Sequence, residues 1–145
     1  MDDPAEAGFE VVGEAECLRL LAQETIGRVA VTVGAVPAVF PVNYRFADGH
    51  IYFRTGEGTK LAAAARNAVV AFEIDRIDRL YHTGWSVLTV GVAHVLTEPT
   101  DLQRAAQLPL RPWAPGARTH LVRIVPESVS GRRIVAGHDE PESWS

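Results

Sequence analysis

The 145-residue sequence predicts a mainly β domain, an antiparallel barrel of six to seven strands with about three short helices. The first segments with alternating apolar residues are joined by tight glycine-containing turns, whereas parallel strands need long crossover connections. Residues 83–96 form a long segment that is apolar on both faces apart from four polar side chains, as in a strand covered on both sides. These features disfavour a doubly wound α/β fold.

The first half of the chain is expected to form one helix and then three strands. Residues 14–25 place apolar side chains on one face at helical spacings of three and four. The three strands that follow span residues 28–33, 36–44 and 50–55. Pro37 and Pro41 remove two backbone donors from the second strand, which marks it as an edge or a bulged barrel corner. The Asp48-Gly49 pair is typical of a hairpin turn.

The second half combines two short helices with four more strands. The helices are expected at residues 59–66 and 101–107, the second of them capped by Thr100. The strands are expected at residues 69–74, 83–96, 119–125 and 128–134. Three prolines make residues 108–116 an extended loop.

Composition limits the classes of function. Residues 1–13 and 136–145 are polar and are expected to be flexible tails, so residues 14–135 form one domain. The net charge of −4 argues against nucleic-acid and membrane partners. The single cysteine, Cys17, excludes an internal disulfide and is expected to be buried in the first helix. An acidic start without a long apolar run predicts no signal peptide and a cytoplasmic location.

The segment 50–61 contains the clearest pattern of functional residues. A strand ends at Arg54 and Thr55, a glycine-flanked turn follows, and a helix begins at Thr59 and Lys60. Backbone N–H groups at a helix start attract anions, and these four side chains add donors suited to a phosphate. The alternative is a plain turn in which Thr59 caps the helix and Lys60 is solvated. Because Lys60 is the only lysine among 14 basic residues, the phosphate site is favoured.

Other catalytic patterns are not found. The histidines show no His-x-His or His-x-x-x-His spacing, so no metal site is expected. Ser86 lies in a GWSVL segment that lacks the second glycine of a nucleophile elbow. Trp113, in a proline-rich loop, suits either a lid on the core or a cover for a planar ligand. Catalytic residues therefore stay unknown.

Motifs in a fixed order resemble the pyridoxamine 5'-phosphate oxidase-like family, whose members are FMN-binding split barrels. The motifs are GRVA at 27–30, FPVNY at 40–44, FRT at 53–55, GTKL at 58–61, VAFEID at 70–75, GWSV at 84–87 and SGRRI at 130–134. Their order and spacing cover roughly residues 14–135.

The resemblance implies a set of residues that bind FMN. The family lays the strand segment matched by residues 41–44 along the flavin ring, and it binds the phosphate through residues matched by Thr55 and Lys60. Its long strand contacts the flavin near the dimer interface, and an aromatic loop reaches over the ring. The cofactor-binding residues that it implies are Pro41, Val42, Asn43, Tyr44, Phe53, Arg54, Thr55, Thr59, Lys60, Trp85, Ser86 and Trp113.

The function that the resemblance implies is a homodimeric FMN-dependent oxidoreductase with a small-molecule substrate. A dimer is also expected because a barrel this small cannot enclose a flavin, and because strand 83–96 needs a partner on its outer face. The family's oxidases hold pyridoxal phosphate with a C-terminal segment that has no clear counterpart after Arg133. General flavin chemistry is therefore expected. An F420-dependent reductase, a non-catalytic flavin- or haem-binding sensor and a cofactor-free barrel stay open.

Overall fold

The computed structural model describes residues 9–110 and 118–135. These residues form seven antiparallel strands in one sheet and three short helices, which confirms the predicted fold class. The strands are β1 (Phe9–Val12), β2 (Ile26–Val33), β3 (Val36–Ala47), β4 (His50–Gly56), β5 (Ala68–Asp78), β6 (Thr83–Val95) and β7 (Thr119–Ile134). The helices are α1 (Glu14–Gln23), α2 (Lys60–Ala64) and α3 (Pro99–Ala105).

The sheet closes on itself through β7. The strand order is β1-β7-β4-β3-β2-β5-β6, and β6 also pairs with β7. The first part of β7 pairs with β4 on one side, and its last residues pair with β1. The β6–β7 ladder runs from Gly84 opposite Ile134 to Val95 opposite Val122. Pairing on both sides of β7 makes a barrel out of a single sheet.

Strand β3 changes partner along its length and so forms a corner of the barrel. Its residues 36–43 pair with β2, and residues 44–47 pair with β4. Pro37 and Pro41 lie in the first part, where β2 is the one neighbour among the described residues. The expected edge or corner is confirmed, and it leaves one side of residues 36–43 without a strand partner in the described part of the chain.

Strand β7 is continuous, whereas two strands with a break between them were predicted. A register shift places Ser128 opposite Val90 and Pro126 opposite Gly91. A bulge of this kind accommodates a residue without an N–H donor inside a strand. A Cβ on Gly91 would lie 2.2 Å from the Val125 oxygen, so this close approach requires glycine.

Several element boundaries also differ from the sequence prediction, most of all that of β5, which was expected over residues 69–74 and extends to Asp78. Residues 9–12, which were assigned to the flexible N-terminal tail, form β1 and pair with residues 131–134. The N-cap of α3 is Glu98 rather than Thr100, with Pro99 in the first turn and no side-chain cap hydrogen bond. Proline at the first helical position begins the helix two residues earlier because its backbone is already in a helical conformation.

The core fills the inside of the barrel. Tyr44, Phe53 and Phe72 are fully buried, and the rings of Tyr44 and Phe72 meet edge to face at 4.7 Å. Helix α1 covers one end of the barrel and buries Cys17, as predicted. The Tyr44 hydroxyl donates to the Leu21 oxygen at 2.8 Å and so connects α1 to β3. No helix in the described ranges is long and apolar enough to span a membrane.

Candidate functional site

A cavity of about 530 Å³ lies between the unpaired side of β3 and the turn that joins β4 to α2. Its volume is within the range of roughly 300–1,000 Å³ typical of small-molecule sites. The lining residues are Phe40, Pro41, Val42, Asn43, Arg54, Thr55, Gly56, Thr59, Lys60, Leu61 and Leu110. The β3 side is mostly apolar and the turn side is polar, so the cavity suits a ligand with a flat apolar body and an anionic end.

The polar side of the cavity is positively charged, although the chain carries a net charge of −4. Arg54 and Lys60 are among the described lining residues, which include no carboxylate. Lys60 is exposed and forms no ion pair or hydrogen bond with another described residue. Its ammonium group is therefore available to an anionic ligand.

The threonine hydroxyls are largely occupied by local hydrogen bonds. The Thr59 hydroxyl caps α2 by accepting from the Ala62 N–H at 3.1 Å, and it donates to the Gly56 oxygen at 2.8 Å. The Thr55 oxygen lies 3.0 Å from that of Thr59. Because the Thr59 proton points to Gly56, Thr55 donates to Thr59. Thr55 must turn its proton away from Thr59 before it can donate to a ligand.

Helix α2 is shorter than the sequence predicted. It contains five residues and ends at Ala64, whereas a helix over 59–66 was expected. A helix of little more than one turn has a weak dipole because few peptide units are aligned. The attraction of this turn for an anion therefore depends mainly on the side chains of Lys60 and Arg54.

Arg54 connects three parts of the structure around the cavity. Its Nε donates to the Leu110 oxygen at 2.7 Å, and its Nη1 donates to the Thr119 hydroxyl at 3.2 Å. Leu110 is buried and lines the cavity although it lies 56 residues further along the chain. The guanidinium group thus positions a wall of the cavity, and among the described residues its Nη2 has no hydrogen-bond partner.

Seven of the predicted cofactor-binding residues lie together around the cavity. They are Pro41, Val42, Asn43, Arg54, Thr55, Thr59 and Lys60. The side chains of Tyr44 and Phe53 are instead fully buried in the barrel core. Burial raises the pKa of the Tyr44 phenol far above its ordinary value, so this group stays neutral. Tyr44 follows the lining residue Asn43, and Phe53 precedes the lining residue Arg54, so both lie directly beside the cavity in sequence although their side chains pack in the core.

Two further predicted site residues, Trp85 and Ser86, are not among the described residues that line the cavity. Trp85 and Ser86 lie on β6, opposite Arg76 and Asp75 of β5, and are half-buried. Their contact with a cofactor stays a prediction, and Trp113 lies outside the described residues. Sequence reasoning did not single out the lining residues Phe40, Gly56, Leu61 and Leu110. The first three are direct neighbours of predicted site residues, but Leu110 gave no local signal.

No group of three potential metal ligands occurs in residues 9–110 and 118–135. The described residues that line the cavity include no histidine, cysteine, tyrosine or carboxylate. The described side chains of the site thus offer apolar contact, hydrogen-bond donors and positive charge to a ligand.

A family model for pyridoxamine 5'-phosphate oxidase matches residues 13–133, and the chain belongs to this family. The uncharacterized protein Rv0080 of Mycobacterium tuberculosis is 40% identical over 131 residues, which cover 87% of this chain and 86% of that protein. The fold is likewise that of solved split barrels of this family.

Two solved structures illustrate the structural similarity. The FAD binding protein from Mycobacterium smegmatis superposes with a TM-score of 0.79 at 39% identity, covering 88% of this chain and 99% of that one. A conserved protein of unknown function from Corynebacterium diphtheriae superposes with a TM-score of 0.76 at 32% identity, covering 88% and 99% of the two chains.

Proposed function

We propose that this protein binds a flavin in the cavity between β3 and the β4–α2 turn and acts as a flavin-dependent oxidoreductase on a small molecule. The observation that carries the proposal is the apolar wall on β3 beside Lys60, which has no partner among the described residues, in a lining whose described residues include no carboxylate. Family membership and the FAD-binding relative from Mycobacterium smegmatis support it.

Residues of this chain suit each part of a flavin. Phe40, Pro41 and Val42 offer apolar surface to the ring system. Along residues 36–43, alternate backbone groups point away from β2 and are available to the polar edge of the ring. Lys60 would hold the phosphate, and Arg54 would support that end while it positions Leu110. When bound, the flavin supplies hydride and electron transfer.

FMN is the proposed cofactor. FAD contains the same ring, ribityl chain and first phosphate, so similarity to the FAD binding protein from Mycobacterium smegmatis is compatible with the same site. The deazaflavin F420 also has a flat ring and a side chain that carries a phosphate. The three cofactors differ in absorbance spectrum or mass, and identification of the released molecule decides among them.

A homodimer is part of the proposal because a large apolar surface adjoins the cavity. We define the outer face as the side of β2, β3, β5 and β6 turned away from the barrel core. Its large apolar side chains are 42–64% exposed, namely Ile26, Val39, Val69, Ile77 and Leu88. Several large exposed apolar side chains on one face of a sheet are typical of a surface that contacts another protein. Pro41 of the cavity pairs with Arg28 of the outer face, so a second copy on this face would also cover the cavity.

The cofactor is tested on freshly purified protein by its absorbance spectrum and by mass spectrometry of the molecule released on denaturation. A bound flavin is expected, and stoichiometric binding of FMN to flavin-free protein would support the FMN assignment. A protein that neither retains nor binds any flavin or deazaflavin would overturn the proposal.

Catalysis is tested by anaerobic reduction with NADH and NADPH, followed by reoxidation with small electron acceptors. Turnover is expected for an oxidoreductase. A bound flavin that no donor reduces would instead support the non-catalytic sensor, which is favoured by the lack of histidine, cysteine, tyrosine and carboxylate groups among the described lining residues.

A further inference from the structure

The outer face carries a charged cluster within otherwise apolar surroundings. Arg28 Nη1 on β2 lies 3.2 Å from Glu73 Oε1 and 3.2 Å from Asp75 Oδ2, both on β5. Glu73 and Asp75 are two residues apart on one strand, so their side chains share a face. The side chains of Glu73 and Asp75 are 32% and 23% exposed, whereas that of Arg28 is 48% exposed.

The neighbours of this cluster leave its charges unbalanced. On β6, uncharged Leu88 and Ser86 lie opposite Glu73 and Asp75, and on β3 Pro41 lies opposite Arg28. The next described cation on this side of the sheet, Arg132 of β7, pairs with Ser86 and therefore lies two strands from Asp75, roughly 10 Å away. Arg132 also packs over the Phe9 ring at 5.7 Å. Within the described part of the chain, one cation thus contacts two carboxyl groups.

One of the two carboxyl groups readily holds a proton. Burial and the neighbouring Asp75 carboxyl raise the pKa of Glu73 to about 7, against the opposing effect of Arg28. A protonated Glu73 can donate a hydrogen bond to Asp75, while Arg28 neutralises the remaining charge. Near neutral pH the cluster therefore exists in two states, one neutral and one with a net charge of −1.

A second copy on the outer face would double this imbalance. Two clusters contain two arginines and four carboxyl groups, so full ionisation leaves two excess negative charges against an apolar surface. Burial of unpaired charge is costly, and uptake of one proton at each cluster removes the excess. Because each cluster carries both signs of charge, it is complementary to its own copy across a two-fold axis.

We propose that self-association through the outer face is linked to proton uptake by the Glu73–Asp75 pair, so that the dimer is tighter at pH 6 than at pH 8. This inference rests on the proposed function, in which a second copy covers the same face. The linked groups are Glu73 and Asp75, with Arg28 as their counter-ion.

The direction of the pH dependence follows from the coupling between proton binding and dimer formation. Removal of water from Glu73 at an interface raises its pKa above the value in the free chain, so the dimer binds more protons than two monomers. The dissociation constant therefore rises as pH increases through about 7 and above. A further rise of one pKa unit in both copies corresponds to about a hundredfold change in the dissociation constant across the transition.

The test is sedimentation equilibrium of the protein as purified, with its bound cofactor, at a series of pH values from 6 to 8.5. The unmodified protein is expected to dissociate more readily at the alkaline end. Glu73→Gln removes the titrating carboxyl group, and its dissociation constant should be low and independent of pH. Glu14→Gln makes the same charge change on exposed α1, away from the outer face, and should keep the pH dependence.

The outcomes separate this inference from the proposed function. A dimer whose dissociation constant does not change with pH, or changes equally in Glu73→Gln, would overturn the proton linkage and leave the proposed dimer intact. A monomer at every pH in both proteins would overturn the proposed dimer as well. Asp75→Asn provides a second variant, in which weaker pH dependence would again support the linkage.

Discussion

Replacement of Lys60 by alanine is the most direct probe of the proposed phosphate site. A charge-assisted hydrogen bond contributes about 1.5–3 kcal/mol, so its loss should weaken FMN binding by about ten- to a hundredfold. Because Lys60 is exposed, solvent screening places the expected effect near the lower end. Lys60 forms no hydrogen bond or ion pair within the described residues, so the free energy of unfolding should change by less than about 0.5 kcal/mol.

The assay is a fluorescence titration of flavin-free protein with FMN and, separately, with riboflavin, which lacks the phosphate. Riboflavin should bind the variant and the unmodified protein equally. Arg66→Ala is the matched control, since Arg66 is an exposed cation just beyond α2 and does not line the cavity. Full FMN affinity in Lys60→Ala, or an equal loss for riboflavin, would refute the reasoning and place the phosphate elsewhere.

The other predictions concern single contacts. Thr55→Val should weaken FMN binding by less than about tenfold in the same titration, because a neutral hydroxyl contributes about 1 kcal/mol and this one already donates to Thr59. Thr89→Val should stabilise the protein by about 1 kcal/mol in thermal denaturation, because the fully buried Thr89 hydroxyl has no hydrogen-bond partner among the described residues; a lower midpoint would contradict this. Gly27→Ala should destabilise the protein by about 1–3 kcal/mol, because the new Cβ would lie 2.3 Å from the Phe72 ring. An unchanged midpoint of thermal denaturation would show instead that the ring can move.

Local sequence signals predicted much of the fold and the turn at the candidate site. Alternating apolar residues and the Asp48-Gly49 turn located the β3–β4 hairpin, in which both turn residues have positive φ. The glycine-flanked turn and Thr59 located the start of α2, which Thr59 caps as expected. These features depend on contacts between residues a few positions apart, so the sequence of one segment is sufficient to recognise them.

Pairing between distant segments was decided only by the tertiary structure. Residues 9–12 become β1 because they meet the end of β7, more than a hundred residues along the chain. The bulge at Pro126 keeps β7 continuous because β6 places Gly91 opposite it. Arg54 brings Leu110 to the cavity, and Arg28 on β2 contacts Glu73 on the neighbouring strand β5. The composition of a single segment does not specify the register of strands that are far apart in sequence, and that register determines which side chains come together.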